Sequence, residues 1–417
     1  MTQLSNDCFA FGGDLLTTTA ALELLAERVS PVTEIERVAL GEALDRVLAE
    51  DLVAEVSVPP HDNSAVDGYA VRFDDLEAEA ETRLAVLGRT AAGHPLGRPL
   101  GSAEAVRIFT GAVMPEGADT VFMQEDVSVD GDHVVLPPGL KRGANRRHAG
   151  EDVAAGATLL VRGHRLRPQD VGLAASVGRT ELVVHRRLRV AVFSTGDEVR
   201  EPGEPLPPGA IYDANRYLLM SLMRSLAGSV TDLGILPDEA GEVRAALDEA
   251  ARDHDLLITS GGVSVGEEDH VKAAVEALGS LYLWRLAIKP GRPIALGQVK
   301  AVPFVGLPGN PVAAMVTFLR FARPLILRLG GCTQVDPVLY RVRAEFSHSK
   351  KANRREWVRA RLETGGDGVL VARKFARQGA GILSSLVESD GLVELPEEMT
   401  RLRSGTMVDF LPFSEVS

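Results

Sequence analysis

Four short stretches set glycine or proline beside charged or hydroxyl side chains at the ends of apolar runs. They are where this sequence could do chemistry. Ser260-Gly261-Gly262-Val263-Ser264-Val265-Gly266 follows the apolar run 256–259 and precedes a helix predicted over about 267–278. Its glycines let backbone N–H groups approach an anion, and a helix N-terminus adds a favourable dipole. The same residues also suit a tight strand-to-helix turn with no ligand. In Leu307-Pro308-Gly309-Asn310-Pro311, Asn310 is placed to cap the next helix and Pro311 suits its first position. Ser194-Thr195-Gly196-Asp197-Glu198 offers adjacent carboxylates that would bind Mg²⁺ or position water, or would simply be a solvated turn. Lys289-Pro290-Gly291-Arg292-Pro293, after the run that contains Arg285, supplies cations of the kind that grip phosphates.

Further polar groups lie among small residues in Ser64-Ala65-Val66-Asp67-Gly68-Tyr69-Ala70 and Phe109-Thr110-Gly111-Ala112. A basic run from Lys141 to His148, including Arg147, leads into Gly150-Glu151-Asp152, and a second comprises Lys350-Lys351 and Arg354-Arg355. Such runs ordinarily form a solvated face, although carboxylates and glycines beside the first suit an anion-plus-metal site. No Gly-x-Ser-x-Gly elbow or Walker-type Gly-Lys-Ser/Thr is present, so covalent serine catalysis and P-loop hydrolysis have no support.

Composition narrows the class. The chain has 417 residues, 45% hydrophobic and 25% charged, which is ordinary globular composition and long enough for several domains. A net charge of −13 argues against nucleic acid as a partner. Two distant cysteines and scattered histidines argue against a disulfide scaffold or a zinc site. No apolar stretch reaches the ~18 residues needed to span a bilayer. The N-terminus lacks a signal-peptide pattern, so no membrane and a cytoplasmic location are expected.

The elements that must position these residues follow from periodicity. Helices are expected over 14–29, 41–49 and 168–178, with a loop over 58–72 and β-rich chain over 82–162. From 187 strands and helices alternate: strands at 188–193, 229–235, 256–259, 281–288, 294–298 and 304–306, helices at 215–227, 239–252, 267–278 and 311–329. That spacing predicts a multi-domain α/β fold with a parallel sheet covered by helices on both faces. In such sheets ligands bind at the carboxyl ends of the strands, where all four turns fall. Residues 336–417 return to β character.

Several stretches together resemble the molybdopterin molybdenumtransferases (the MoeA and gephyrin E-domain family). They are Pro-Pro-His-Asp-Asn-Ser-Ala-Val-Asp-Gly-Tyr-Ala (59–70), Arg-Ile-Phe-Thr-Gly-Ala (107–112), Gly-Ala-Asn-Arg-Arg (143–147) with Gly-Glu-Asp (150–152), and Phe-Ser-Thr-Gly-Asp-Glu (193–198). Ser-Gly-Gly-Val-Ser-Val-Gly (260–266), Leu-Ala-Ile-Lys-Pro-Gly-Arg-Pro (286–293) and Gly-Leu-Pro-Gly-Asn-Pro (306–311) complete the set. The resemblance implies a central Rossmann-like domain (14–35 plus 187–335), a linker domain (36–56 plus 153–186), an inserted β-rich domain (57–152) and a C-terminal β-barrel-like domain (336–417). It also implies a homodimer, with the site between the central domain of one subunit and the inserted domain of the other.

The implied reaction is Mg²⁺-dependent: adenylylated molybdopterin and molybdate give molybdenum cofactor and AMP. The molybdopterin adenylyltransferase and recipient molybdoenzymes are further implied partners. By matching positions, Asp67, Thr110, Asp152, Glu198, Asp238 and Asp269 are the implied catalytic residues, with Asp67, Glu198 and Asp269 on the metal. The implied substrate contacts are Ser260, Gly261, Gly262, Ser264, Gly266, Arg285, Lys289, Arg292, Pro308, Gly309, Asn310 and Pro311, with Arg147, Arg355, Ser384 and Ser385. Two departures stand out. Arg285 and Arg292 replace the family's common lysines, and Ala380 stands where the family often has serine. Two other readings compete: an adenylyltransferase acting on molybdopterin, which would not need the inserted or last domain, and a non-catalytic scaffold, which would not need converging carboxylates.

Overall fold

The computed structural model describes residues 4, 8–11, 13, 15–262 and 270–416. Its centre is a six-stranded sheet in the order Ser229–Leu236, Arg189–Thr195, Leu256–Ser260, Val302–Leu307, Pro293–Val299, Gly279–Arg285. The first four strands run parallel. The sheet is not wholly parallel, however, because Pro293–Val299 runs antiparallel to both of its neighbours. Only Lys300 and Ala301 join it to Val302–Leu307, with Lys300 at φ 56°. A link that short closes a hairpin and cannot make the crossover a parallel pair needs.

Arg189–Thr195 shows why these strands read as unbroken apolar runs: both of its faces are covered. Val190 and Val192 pack with Leu219, Met315 and Leu25 of the helices Asn215–Met223, Pro311–Thr317 and Thr18–Arg28. Ala191 and Phe193 pack on the other face with Val243, Leu247 and Val271 of Ala240–Asp253 and His270–Leu278.

The helix expected over 311–329 is helical throughout but not α throughout, since a π turn occupies Phe318–Ala322. Pro324 lacks the N–H that would bond the Arg320 carbonyl, and the Arg323 N–H reaches back to Phe318 instead. The helix expected over 41–49 is absent. A 3₁₀ turn at Leu40–Glu42 gives way to Asp45 at φ 63°, and Val47–Leu48 then pairs with Val184–His185. Adjacent apolar residues joined a sheet rather than a helix stripe. The linker region is completed by Ile35–Ala39 paired with Glu181–His185 and by the helix Pro168–Ser176.

The inserted region carries a six-stranded sheet ordered Thr120–Met123, Gly68–Val71, Glu104–Ile108, Thr82–Thr90, His133–Leu136, Ser128–Asp130. The loop expected over 58–72 thus holds one of its strands. In the last region Arg355–Thr364, Leu370–Lys374, Tyr340–Ala344, Met407–Pro412 and Gly391–Leu395 form a sheet that closes on itself, because its first and last strands pair. This five-stranded barrel is also tied to the central domain, where Ile288 and Lys289 pair in parallel with Arg355 and Glu356. Among the described residues no helix is long and apolar enough to cross a membrane.

Candidate active site

The turns at 261–262, 289–293 and 308–310 line one cavity of about 390 Å³, whose opposite wall is the C-terminal barrel. The sheet topology explains this convergence. Gly279–Arg285 runs parallel to the main strands at one remove, so the turn after it emerges beside the carboxyl ends of Leu256–Ser260 and Val302–Leu307. Gly261, Gly262, Lys289, Arg292, Pro308, Gly309 and Asn310 reach the cavity wall.

Single atoms fix the geometry of these turns. Asn215 Nδ2 donates to Ser260 Oγ at 2.9 Å and to the Gly309 carbonyl at 2.7 Å, and Ser260 Oγ donates to the Pro308 carbonyl at 2.9 Å. The Ser260 hydroxyl therefore clips two turns together. Gly261 and Gly262 sit at φ 92° and 63°, which L side chains rarely adopt, and a Cβ at Gly262 would press to 3.2 Å from Thr195 Cγ2.

Asn310 occupies the N-cap with extended backbone, but its side chain makes no capping bond. The Ala380 carbonyl accepts the Val312 N–H at 3.0 Å instead, so the C-terminal domain satisfies this helix end. Pro311 holds the first helical position and does not line the cavity.

On the barrel side, Glu356 is buried and gathers cations. His348 Nε2 lies 3.0 Å and Lys289 Nζ 3.5 Å from Glu356 Oε2, and Arg354 binds the other oxygen. Burial pushes the Glu356 pKa up, but the His348 and Arg354 hydrogen bonds with the Lys289 and Arg354 charges outweigh it and hold the carboxyl below its ordinary value. Lys289 remains half exposed at its side chain, and Arg292 is exposed. Arg359 is 1% exposed and lines the cavity, with Nη2 donating to the carbonyls of Arg377 and Gly379 at 3.2 and 3.1 Å.

The carboxylates form separate groups. Thr195 Oγ1 donates to Asp238 Oδ1 at 3.3 Å beyond the strand Arg189–Thr195. Glu198 folds back over Gly196, where a Cβ would stand 2.7 Å from Glu198 Oε2. Asp67 accepts both the N–H and the hydroxyl of Thr110, at 2.8 and 2.7 Å. Those two bonds, with the Arg107 charge, lower its pKa. Asp67, Thr110, Arg147 and Asp152 belong to the inserted region, and none lines the cavity of the same chain. Ser264, Gly266 and Asp269 lie outside the described residues.

Other implied contacts stand apart. Arg355 is engaged by Glu394 and Glu397, at 2.6 and 2.9 Å, and faces a different recess beside Thr18 and Asp336. Ser385 is buried and donates to the Ile382 carbonyl at 2.5 Å, while Ser384 is exposed at a short helix. Arg285 is exposed and does not line the cavity. Both basic runs are largely spent: Arg142 and Arg146 pair with Asp74, Asp119 and Asp62, and Lys350 donates to backbone carbonyls.

Residues 16–178 match the family model for the MoeA N-terminal region (domain I and II), 191–328 that for a probable molybdopterin binding domain, and 341–413 that for the MoeA C-terminal region (domain IV). The molybdopterin molybdenumtransferase of Haemophilus influenzae is 40% identical, over 96% of this chain and 100% of the relative. The chain belongs to the molybdopterin molybdenumtransferase family. The Bacillus subtilis member is 34% identical over 92% of this chain and 90% of its own. A crystal structure of the molybdopterin biosynthesis moeA protein from Pyrococcus horikoshii superposes with a TM-score of 0.81 at 30% identity, covering 95% of this chain and 99% of that one. In this family member the fold class expected from sequence is the one found, a multi-domain α/β enzyme with a central sheet and a closed C-terminal barrel.

Sequence reasoning missed Asn215, His348, Glu356 and Arg359. Residues 356–360 are all buried, so Glu356 and Arg359 must meet polar partners inside the fold, which the local spacing does not reveal. Asn215 opens a predicted helix, where nothing in its sequence context marks it.

Mg²⁺ needs hard oxygen ligands; of the carboxylates expected to hold it, Asp67 and Glu198 are described, and Asp269 lies outside the described residues. Among the described residues no three His, Cys, Asp or Glu side chains gather as a metal site. The set therefore fits Mg²⁺ only as it is often held, by one or two carboxylates with substrate phosphates and water.

Proposed function

We propose that this chain inserts molybdenum into adenylylated molybdopterin, taking molybdate and releasing AMP and molybdenum cofactor. The observation that carries the reading is the cavity walled by Gly261, Gly262, Lys289, Arg292 and Arg359, where glycine backbone and cations of two domains face one space. Both substrates are anions, and such a lining favours them. The relatives' names agree.

In this reading Lys289 and Arg292 hold phosphate and oxyanion charge, and Glu356, 3.5 Å from the Lys289 Nζ, holds Lys289 at the cavity wall. The buried Arg359 presents guanidinium N–H to molybdate. Bond making needs no protein nucleophile: the two dithiolene sulfurs bond to molybdenum and their protons leave with molybdate oxygen as water. A further water attacks the phosphoanhydride and splits it into AMP and the phosphate that stays on the cofactor. Glu198 and Asp238, with Asp67 of the partner subunit, would hold Mg²⁺ against the phosphoanhydride. Bound there, Mg²⁺ would supply charge neutralisation to the leaving phosphate. Because Asp67 and Thr110 do not line their own chain's cavity, the reading takes a homodimer in which the inserted domain of one subunit closes the site of the other. The adenylyltransferase reading is disfavoured because the C-terminal barrel forms one wall of the cavity. AMP release that depends on molybdate tests the proposal, and release indifferent to molybdate would overturn it.

A further inference from the structure

We propose that Arg89 and Arg107, gathered on Phe109 beside the Asp67–Thr110 pair, form the inserted domain's own binding element for substrate phosphate. The inference rests on the function proposed above and names the substrate group that this domain takes.

Arg89 and Arg107 stand directly opposite each other on neighbouring parallel strands. Like charges in that relation destabilise a sheet. Each guanidinium carbon lies 4.9 Å from the centre of the Phe109 ring, and that of Arg107 lies 5.1 Å from the Tyr69 ring. Two cations thus share one aromatic ring. The register shifts between Val86 and Arg89, and bulges of this kind re-aim side chains next to sites.

The Arg89 charge is not matched locally. Arg72, Arg83, Arg98, Arg142 and Arg146 of the same region each have a carboxylate within ion-pair distance. Among the described residues Arg89 has no ion pair, and Arg107 donates only to the Gly68 carbonyl and Gln124 Oε1. The Asp67 carboxylate feels the Arg107 charge and is taken up by Thr110. Arg89 is therefore an exposed cation without an ion pair among the described residues, in a chain whose net charge is −13.

Cation–π contact with the Phe109 ring holds the Arg89 guanidinium in place, and its N–H edge has no acceptor among the described residues. That edge matches phosphate oxygens in a bidentate fork, which lysine cannot reproduce. Phe109 adjoins Thr110, so a phosphate held here lies next to the Asp67 carboxylate.

The test uses the full-length protein and three variants, Arg89→Gln, Arg89→Lys and the control Arg83→Gln. Inorganic pyrophosphate binding is measured by titration calorimetry, and KM and kcat are measured with adenylylated molybdopterin and molybdate. Arg89→Gln should weaken pyrophosphate binding and raise KM by about tenfold, with kcat within about twofold, as expected for a lost binding contact. Arg89→Lys should fall between, because charge survives and the fork does not. Arg83→Gln should match the wild type. Unchanged pyrophosphate affinity and KM in Arg89→Gln would overturn the inference while leaving an active wild type, and so the function, intact. A wild type that releases no AMP would instead remove the function, and the pyrophosphate titration alone would then decide whether this element binds phosphate. Failure of the wild type to bind pyrophosphate would also overturn it.

Discussion

Asn215 spans two turns that would otherwise move independently, donating one N–H to Ser260 and the other to the Gly309 carbonyl. Removing it leaves the Ser260 hydroxyl and that carbonyl with fewer partners beside the cavity. Asn215→Ala should lower unfolding stability by about 1–2 kcal/mol. It should lower kcat about tenfold, because reacting groups held slightly out of place lose much of their rate. Denaturant unfolding and steady-state kinetics check the two parts. A variant with wild-type turnover would show that the clip does not shape the site. At this scale much of the cavity lining was legible, since Gly261, Gly262, Lys289, Arg292, Pro308, Gly309 and Asn310 all belong to glycine–proline turns at strand ends. The barrel side was not. Glu356 and Arg359 lie some fifty or more residues beyond those turns, and no local spacing brings them there.

Elements hold these atoms through a few buried charges at their ends. Asp255 precedes the strand Leu256–Ser260, is 5% exposed, and accepts from Arg186, from the Arg189 side chain and from the Arg189 backbone N–H. Burial pushes its pKa up, but those bonds and the Arg186 charge win and hold it below the ordinary value. A carboxyl with a lowered folded pKa stabilises the fold above its unfolded pKa of about 3.9. That contribution is lost as pH falls through the folded value. Asp255→Asn should therefore cost about 2–3 kcal/mol near neutral pH. The gap from wild type should shrink as both are acidified below about pH 4. Denaturant midpoints at a series of pH values measure it, and a gap that widens on acidification would refute the assignment. The alternation of strands and helices was readable because central strands buried on both faces are continuous apolar runs. The antiparallel Pro293–Val299 was hidden, since it is equally apolar and only its two-residue link to the next strand gives it away. The Val47–Leu48 strand was hidden in the same way, being too short for its period to show.

The whole molecule raises the question of completeness. Asp67 and Thr110 are bonded to each other on a domain that contributes nothing to the lining of its own chain's cavity. If the inserted domain of one subunit serves the cavity of the other, two inactive variants should rescue each other. Asp67→Asn and Glu198→Gln, each inactive alone, should on co-expression recover about a quarter of wild-type activity, because half of a random mixture is heterodimer with one intact site in two. No recovery, with heterodimers shown to form, would place both residues in one chain's site. The division into a central sheet, an inserted β-rich region and a last β-region was legible from changes of period along the chain. The closure of the last region into a barrel, and its tie to Ile288–Lys289, depends on strand pairings far apart in sequence and was not.

The most direct measurement of the central claim is AMP release from adenylylated molybdopterin by the purified protein with Mg²⁺, with and without molybdate. One AMP should be released per molybdenum cofactor formed, only when molybdate is present, and Lys289→Ala should lose that release. AMP released equally without molybdate, or none released with it by correctly folded protein, would contradict the claim.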